Sequence, residues 1–464
     1  MPGLLAEIDR GFEASTARLA DFLRIPSVST DPQYAGEVRR CAEWLVGELR
    51  GLGFEAEACA TAGHPMVVAH HPGTGADAAS RPRILYYGHY DVQPADPLEL
   101  WTSPPFEPAI VDGPRGRRIV ARGAVDDKGQ VMGIVEALRA WHAVAGGPPC
   151  PVTLMIEGEE ESGSASLDPF MESSRERLAA DVCVVSDTGM WDVETPAITT
   201  RLRGLVYTEV RIHGPSRDLH SGMYGGAVPN PINVLARILA DLHDADGRIA
   251  LPGFYDGVGE PADETKAQWA SLGFDEREFL GEVGLTAGFG ERGRTTLERT
   301  WSRPTCDVNG ISGGYEGKGA KTVIAAHATA KVSFRLVSRQ DPERIAAAFE
   351  SFVRERLPAG CRAEFERHGT NAAIEVSERS RFLAAAESGL EAVFGRRPLR
   401  IGTGGSIPAV GSIGRILGMD ALLVGFGLDD DRVHSPNEKF ELACYRSAIR
   451  SHAAMLAEFA RLAR

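Results

Sequence analysis

The sequence predicts a two-domain α/β protein in which an α+β domain is inserted into a larger α/β domain with a mixed central sheet. In residues 1–203, short apolar runs alternate with helical periodicity, a pattern typical of α/β domains. Residues 204–377 begin with strict alternation of apolar and polar side chains, which indicates a sheet with one solvated face. In residues 378–464 the first pattern returns, so we expect the chain to re-enter the first domain.

The elements of the first domain follow from the apolar runs in chain order. The amino-terminal residues 1–26 form an amphipathic pattern rather than a signal peptide. Strand-like runs and helical segments then alternate along the chain. The predicted strands are 83–87, 152–156 and 182–185, with a helix at 130–142 and, after the insert, a helix at 382–394 and an apolar run at 421–424.

The inserted domain is predicted to contain an antiparallel sheet with helices on one side. Its predicted strands lie at 206–212 and 329–337, and its predicted helices lie at 230–243 and 342–357. Because both ends of the insert join the first domain, we expect it to act as a lid with hinges near Arg203 and Ser377.

Composition excludes several classes of protein. The chain has 464 residues and a formal net charge of -14 with no basic block, which argues against a nucleic acid or an acidic membrane as partner. No apolar stretch approaches the roughly 18 residues that a membrane-spanning helix requires. The seven cysteines are odd in number and scattered, and none lies in a CxxC pair, which indicates reduced thiols. We therefore expect a soluble, cytoplasmic protein.

Histidine and carboxylate side chains follow the predicted strands of the first domain. His89 and Asp91 come after the strand at 83–87, and Glu160 and Glu161 come after the strand at 152–156. Asp187 follows the run at 182–185 and His434 follows the run at 421–424. The carboxyl ends of strands are where α/β sheets form their sites. Imidazole and carboxylate together suit a hydrolytic dication that keeps a position open for water.

One further segment carries two adjacent carboxylates, Asp126 and Asp127, between glycines that permit a tight backbone. Taken alone, a His-x-Asp pair is commonly a hydrogen-bonded pair at the surface, two adjacent glutamates are commonly solvated, and an Asp-Asp segment between glycines is commonly a polar turn. Their order is more informative than any one of them. The motifs are, in chain order, Gly88-His-Tyr-Asp-Val-Gln-Pro94, Gly123-Ala-Val-Asp-Asp-Lys-Gly129, Glu157-Gly-Glu-Glu-Glu-Ser-Gly163, Ser186-Asp187, Asp218-Leu-His-Ser-Gly-Met-Tyr-Gly-Gly226, Gly319-Ala-Lys-Thr-Val323, Gly404-Gly-Ser-Ile-Pro408 and His434-Ser-Pro-Asn-Glu438.

In these motifs the sequence resembles the M20 metallopeptidases, and in particular the dipeptidase branch that includes carnosinases and cytosolic nonspecific dipeptidases. The resemblance implies metal-dependent hydrolysis of the peptide bond of dipeptides, and it makes the first domain catalytic and the insert a lid and dimerisation domain. It implies two divalent ions in each subunit, with zinc expected and manganese or cobalt as alternatives. By that resemblance the five metal ligands are His89, Asp126, Glu161, Asp187 and His434, with Asp126 bridging the two ions.

The resemblance also implies roles beside the metal ions. Glu160 would be the general base for a metal-bridging hydroxide, because it is a carboxylate next to a ligand rather than a ligand. Asp91 would hold the far ring nitrogen of His89 and fix the tautomer that ligates metal. The resemblance further implies a cis peptide between Asp126 and Asp127.

Substrate contacts are expected from the lid. His220 would reach the partner's active site in a homodimer and stabilise the oxyanion, and Arg335 would bind the carboxylate terminus of the peptide. The remaining expected substrate contacts are Thr322, Gly405 and Ser406.

Three alternatives stay open at this point. A carboxypeptidase or an N-acyl amino-acid deacylase on the same fold would share the metal ligands, the base and the arginine. A non-catalytic peptide-binding protein would lack a base or a ligand, whereas Glu160 and all five ligands are present. A structural calcium site would not use histidines at both ends of the set.

Overall fold

The computed structural model describes residues 1–281, 283–377, 379–404 and 407–463. These residues form two compact units. The larger unit comprises Met1–Thr200, Val376–Arg400 and Ser412–Arg464, and the smaller unit comprises Arg201–Glu375 and Ile401–Gly411. The smaller unit is therefore built from one long segment and one short segment, each inserted between segments of the larger unit.

The strands carry the numbering used below. They are β1 (Glu55–Cys59), β2 (Met66–His71), β3 (Ile84–His89), β4 (Ala109–Gly113), β5 (Gly116–Val120), β6 (Val152–Glu157), β7 (Val182–Val185), β8 (Ala197–Leu202), β9 (Gly204–His213), β10 (Leu219–His220), β11 (Thr305–Gly313), β12 (Val323–Ile324), β13 (His327–Leu336), β14 (Arg362–Asn371), β15 (Ile374–Glu375), β16 (Leu399–Thr403), β17 (Ala421–Leu423) and β18 (Lys439–Glu441).

The α-helices are numbered in the same way. They are α1 (Pro2–Leu23), α2 (Ala35–Arg50), α3 (Lys128–Ala145), α4 (Leu167–Ser173), α5 (Ser221–Tyr224), α6 (Pro231–Ala240), α7 (Asp263–Ala270), α8 (Glu276–Gly281), α9 (Thr296–Trp301), α10 (Pro342–Glu355), α11 (Arg381–Phe394), α12 (Pro408–Ser412) and α13 (Leu442–Phe459).

The main sheet is mixed, as the fold class predicted. Its strand order is β1-β2-β6-β3-β7-β17-β8-β15, with β16 paired to β8. The central strands β6, β3, β7 and β17 run parallel to one another, whereas β1, β2 and β8 pair antiparallel at the flanks. Every residue of β3, β6 and β7 is buried, because both faces of a parallel sheet are covered. The helices α1, α3, α11 and α13 pack on one another in the same unit.

The smaller unit contains an antiparallel sheet with the order β11-β13-β9-β14. Side chains of β9 and β13 alternate between buried and partly exposed positions, as the sequence alternation predicted. The buried face, which includes Val206, Val210 and Phe334, packs with residues of α6 and α10 into one apolar core. Arg335 and Tyr207 lie on the opposite face, which is more exposed.

Local sequence signals set the ends of the helices in this unit. Asn230 and Asp341 each accept a backbone N–H in the first turn of α6 and α10, and each precedes a proline at the first helical position. The predicted helices at 230–243 and 342–357 thus begin where expected and end two or three residues early.

The segment Ile401–Gly411 differs from its predicted place in the first domain, because it lies with the smaller unit. A Cβ on Gly402 would lie 2.6 Å from the Cβ of Trp301, so β16 packs tightly against α9. Arg203 also donates a hydrogen bond from Nε to the carbonyl of Gly404 at 3.4 Å. These contacts join residues about 100 and 200 positions apart, which no local pattern reveals.

Within the described residues, we find no helix that combines the length and the hydropathy of a transmembrane segment.

Candidate metal centre

Three neighbouring parallel strands bring the predicted ligands to one edge of the main sheet. His89 is the last residue of β3, Glu161 lies in a short 3-10 turn after β6, and Asp187 follows β7 by two residues. Since β3 lies between β6 and β7 in the sheet, the carboxyl ends of all three strands are adjacent. The predicted convergence of these side chains therefore has a simple topological cause.

Asp126 reaches the same edge from the turn that precedes α3. The Asp126–Asp127 peptide is cis. Asp127 is fully buried and accepts the backbone N–H of His89 at 3.1 Å. A Cβ on Gly88 would lie 2.7 Å from the carboxylate of Asp127, so only glycine permits this close approach of β3 and the turn.

The ligand atoms form two groups that share Asp126. His89, Asp126 and Asp187 form one group, and Asp126, Glu161 and His434 form the other, with the donor atoms of each group within 4.8 Å of one another. The two oxygens of Asp126 face different histidines. Oδ1 lies 3.1 Å from Nε2 of His89, and Oδ2 lies 2.9 Å from Nε2 of His434. Nε2 of His434 also lies 3.2 Å from Oε2 of Glu161.

The charges of this cluster are strongly coupled. Hydrogen bonds to Asp126 and Glu161 raise the pKa of His434 to about 10. Burial alone lowers the pKa of His89, but its hydrogen bonds with Asp126 and Asp91 outweigh burial and raise it. Burial raises the pKa of Asp187 well above its usual value, and the nearby charge of Asp126 adds to this shift. Carboxylates packed so closely cannot all stay ionised without positive charge between them.

The donor set fits two divalent cations. Imidazole and carboxylate are the ligands of catalytic zinc, manganese and cobalt, and each group here offers three protein donors, which leaves room for water and substrate. Because Asp126 presents one oxygen to each group, it can bridge the two ions. The site is partly accessible, since the side chain of His434 is 52% exposed whereas that of His89 is 1% exposed.

Asp91 connects three parts of the site. Nδ1 of His89 lies 3.1 Å from the carbonyl oxygen and 3.4 Å from Oδ1 of Asp91, so Nδ1 can donate its proton to Asp91, and Nε2, which faces Asp126, is the nitrogen that can ligate metal. The carboxylate of Asp91 also accepts the backbone N–H of Glu160 at 3.3 Å and of Glu161 at 3.1 Å. The hydroxyl of Ser29 donates to the same carboxylate at 2.6 Å.

Glu160 lies beside the two ligand groups and belongs to neither. Burial raises the pKa of its carboxyl, while the positive charge of His89 opposes this shift. The two adjacent glutamates therefore have different environments, although the sequence does not distinguish them. Glu161 contacts His434, whereas Glu160 offers its carboxylate without a side-chain partner among the described residues.

Sequence reasoning missed two residues that contact predicted site residues, one at the ligand Glu161 and one at Asp91. Nε2 of Gln93 donates to the carboxylate of Glu161 at 2.8 Å and so orients this ligand. Ser29, which contacts Asp91, lies in no motif, and its sequence neighbours carry no signal of function. Gln93 lies inside a quoted motif, and an amide two residues after a His-x-Asp pair is the signal that could have found it.

In the smaller unit, His220 and Thr322 lie side by side. His220 pairs with Val323 across β10 and β12, and the backbone N–H of Ser221 donates to the carbonyl of Thr322 at 3.1 Å. Nδ1 of the exposed His220 accepts the N–H of Gly222 at 3.0 Å, which assigns the ring proton to Nε2. This nitrogen can therefore donate to a ligand.

Arg335 lies on the more exposed face of the smaller unit's sheet, and no acidic side chain among the described residues forms a salt bridge with it. Arg203, which sequence reasoning did not single out, is its diagonal neighbour across β9 and β13, since Arg335 pairs with Leu205. Burial lowers the pKa of Arg203 to about 10, and the nearby charge of Arg335 adds to this shift. Two adjacent guanidinium groups form a site for an anion. The predicted contacts Gly405 and Ser406 lie outside the described residues.

Comparison with known proteins identifies the family. Residues 85–458 match the model of Peptidase family M20/M25/M40. The Cys-Gly metallodipeptidase dug1 of Schizosaccharomyces pombe is 30% identical over 454 residues, which cover 96% of this chain and 95% of that protein. Human Beta-Ala-His dipeptidase is 30% identical over 385 residues, which cover 82% and 75%. The M20 family metallo-carboxypeptidase Sso-CP2 from Sulfolobus solfataricus is a solved structure with a TM-score of 0.81 and 31% identity, covering 97% of this chain and 99% of that one. The chain therefore belongs to peptidase family M20/M25/M40 and is a metallopeptidase, as its motifs predicted.

Proposed function

We propose that this protein hydrolyses the peptide bond of dipeptides at a centre of two divalent metal ions. The observation that carries the proposal is the position of Asp126, whose two oxygens face two different histidines. This arrangement supports a bridging carboxylate between a group with His89 and Asp187 and a group with Glu161 and His434. The names of the relatives dug1 and Beta-Ala-His dipeptidase support a dipeptide as substrate.

The metal ions, proposed to be zinc with manganese or cobalt as alternatives, supply Lewis-acid activation of water and of the scissile carbonyl. Glu160 acts as the general base that accepts the proton of the attacking water and returns it to the leaving amine. Its position beside the ligand groups supports this role, and burial raises the pKa of its carboxyl toward the range in which a base can also give the proton back.

Asp91 fixes the positions of the catalytic groups relative to one another. Its backbone carbonyl lies 3.1 Å from Nδ1 of His89, and its carboxylate accepts the backbone N–H groups of Glu160 and Glu161, so one residue orients a ligand of each metal group and the base. A shift of Asp91 would move all three together. Its proposed role is therefore to position these groups, without contact to the substrate.

The smaller unit is proposed to be the lid and dimerisation domain that binds the ends of the substrate. The free Nε2–H of His220 suits donation to the oxyanion, with Thr322, Gly405 and Ser406 as further substrate contacts. Arg335, with Arg203 beside it, suits the carboxylate terminus of a peptide.

A homodimer is proposed through the smaller unit. Strand β11 pairs only with β13 among the described residues, so its outer edge is available for a second copy. Ile311 on this strand is 64% exposed, and Val308 is 39% exposed. In such a dimer, His220 would serve the metal centre of the partner. The cytoplasmic location stays a prediction.

The proposal is tested by the hydrolysis of free dipeptides, tripeptides and N-acetyl amino acids by metal-stripped protein with zinc, manganese or cobalt restored. We expect cleavage that depends on metal and is confined to dipeptides. A matched variant, Glu160→Gln, keeps the size and hydrogen-bonding capacity of the side chain and should bind metal normally while losing turnover. Full activity of Glu160→Gln would show that another group is the base.

A second candidate is a carboxypeptidase, which is favoured by the similarity to Sso-CP2 at a TM-score of 0.81. A carboxypeptidase would use the same metal centre and the same arginine. It would, however, release the terminal residue from tripeptides and longer peptides as well. Preference for N-acetyl amino acids would instead indicate a deacylase, and absence of cleavage across the panel would indicate a peptide-binding protein.

A further inference from the structure

Glu438 is a fully buried carboxylate at the base of the metal centre. Its Oε1 accepts the backbone N–H groups of Val125 at 2.9 Å and Asp126 at 3.1 Å. Its Oε2 accepts the N–H of Gly123 at 3.0 Å and the guanidinium of Arg122 at 2.7 Å. One side chain thus holds most of the turn that carries the bridging ligand.

Arg122 extends this connection to another loop. Its side chain is 1% exposed, like that of Glu438, and its Nη2 donates to the carbonyl of Pro94 at 3.0 Å. The guanidinium also lies over the ring of Trp101, with its carbon 5.5 Å from the ring centre. Pro94 follows Gln93, which contacts the ligand Glu161. The ion pair therefore joins the loop after β3 to the turn before α3.

The third segment joined by the pair is the loop of His434. Glu438 lies four residues beyond His434, and the backbone between them is sharply turned, with left-handed conformations at His434 (φ 59°) and Asn437 (φ 64°). The side chain of Asn437 is anchored by hydrogen bonds to Thr102 and Leu100. Fixing Glu438 on the turn of Asp126 therefore restricts where His434 can lie.

The group of His89 has separate supports. His89 is held by Asp91 at Nδ1 and by Asp127 at its backbone N–H, and it ends a fully buried strand. None of these contacts involves Glu438. The two metal groups thus share Asp126 but depend on different supporting residues.

A buried ion pair such as Arg122–Glu438 is weak evidence for a role in stability, because the cost of removing both charges from water offsets their attraction. Hydrogen bonds from three backbone amides give the carboxylate a geometric function instead. They fix the direction of the turn at Asp126 within hydrogen-bonding tolerance, which is the accuracy that a bridging ligand requires.

We propose that the Arg122–Glu438 pair is a positioning device for the metal group of Asp126, Glu161 and His434, and that it determines whether the centre holds two metal ions or one. The inference rests on the proposed two-metal centre. Without the pair, the turn of Asp126 and the loop of His434 are no longer fixed to each other, whereas the group of His89 and Asp187 keeps its own supports.

The test is the titration of metal-stripped protein with Co²⁺, followed by calorimetry and by visible absorption. We expect the unaltered protein to bind two ions. Glu438→Gln should bind one ion with nearly unchanged affinity, and the second about 10–100-fold more weakly, which is the usual effect of losing a supporting contact. Glutamine places an NH2 group against donors that need an acceptor, so the change acts at the contact itself.

Glu136→Gln is the matched control. Glu136 is a buried glutamate in α3 that accepts Nε of Arg18 at 2.7 Å and Nε of Arg139 at 3.0 Å, and it contacts no ligand. This variant likewise loses a buried carboxylate that pairs with arginine, here with the partly exposed Arg18 and Arg139, but should still bind two Co²⁺ ions. Circular dichroism of both variants tests whether they fold.

If Glu438→Gln does not fold, Glu438→Asp keeps the charge but shortens the side chain, so its carboxylate can no longer hold all three backbone amides at these distances, and it should weaken the second ion in the same way. Two ions bound at unaltered affinity by the folded variant would overturn the proposal, as would equal weakening of both ions. Cleavage of dipeptides by the unaltered protein is measured separately. A protein that binds two ions but cleaves no dipeptide would refute the proposed function and leave this inference standing.

Discussion

Replacement of Asp91 by asparagine tests how one carboxylate organises the metal centre. The carboxylate accepts the hydroxyl of Ser29 at 2.6 Å and the N–H of Glu161 at 3.1 Å on Oδ2, and the N–H of Glu160 at 3.3 Å on Oδ1. Oδ1 also lies 3.4 Å from Nδ1 of His89. Every group around Asp91 is thus a donor.

An asparagine side chain has one acceptor oxygen, so it can accept hydrogen bonds at only one of the two oxygen positions of Asp91. With its carbonyl oxygen toward Ser29 and Glu161, its NH2 group faces the N–H of Glu160 and Nδ1 of His89. Nδ1 of His89 keeps the backbone carbonyl of Asp91 at 3.1 Å, so the hydrogen bond that is lost is the one from the N–H of Glu160, which is left buried without an acceptor, a loss of about 1.5–3 kcal/mol. At about 1.4 kcal/mol for each factor of ten, this corresponds to roughly a 10–150-fold weaker binding of metal.

The assay is competition with a chromophoric chelator for zinc, with protein and metal concentrations chosen to resolve both ions. Ser29→Ala is the matched control, because it removes one neutral donor and leaves the carboxylate in place. We expect a smaller loss in Ser29→Ala than in Asp91→Asn. Unchanged zinc affinity in Asp91→Asn, with a normal melting temperature, would refute the idea that Asp91 orients His89 and the glutamates.

Three further outcomes are expected. Gly88→Ala should destabilise the fold by about 1–3 kcal/mol in urea unfolding, because its Cβ would lie 2.7 Å from the carboxylate of Asp127; normal stability would mean that β3 and the turn can separate at no cost. Arg335→Met should raise KM for dipeptides by at least about 10-fold with a smaller change in kcat, as expected for loss of a charged contact to the substrate, and an unchanged KM would remove Arg335 from the binding site. Burial lowers the pKa of His452 to about 3. Below about pH 6.5 the unfolded chain therefore binds a proton at this imidazole, whereas the folded protein does not bind one until about pH 3. Stability should therefore fall as pH decreases from about 6.5 to 3, by up to about 1.4 kcal/mol per pH unit from this group, and urea titrations of His452→Gln should lack this contribution.

Much of the fold follows from local patterns. Alternation in 206–212 predicted β9 with its buried and exposed faces, and the apolar runs predicted the buried strands β3, β6 and β7. Helical periodicity predicted α6 and α10, and each begins at a proline that follows a capping side chain. These features depend on residues within a few positions of one another, and for that reason the sequence reveals them.

The order of its motifs in the sequence also predicted the chemistry of the candidate site. Histidine and carboxylate at the ends of apolar runs predicted a dication site, and the resemblance to the M20 family selected five candidate ligands, which the structure brings into two groups. The sequence alone does not distinguish Glu160 from Glu161. The difference arises when Glu161 meets His434, a residue far along the chain.

Only the tertiary structure decided which residues support the ligands. Glu438 reaches Asp126 across 312 positions of sequence, and Ser29 reaches Asp91 across 62. Likewise, the segment Ile401–Gly411 joins the smaller unit through contacts with residues far from it in sequence. The physical reason is the same in each case. Strand order places distant segments side by side, and the buried donors and acceptors at their meeting points must then find partners that no local pattern specifies.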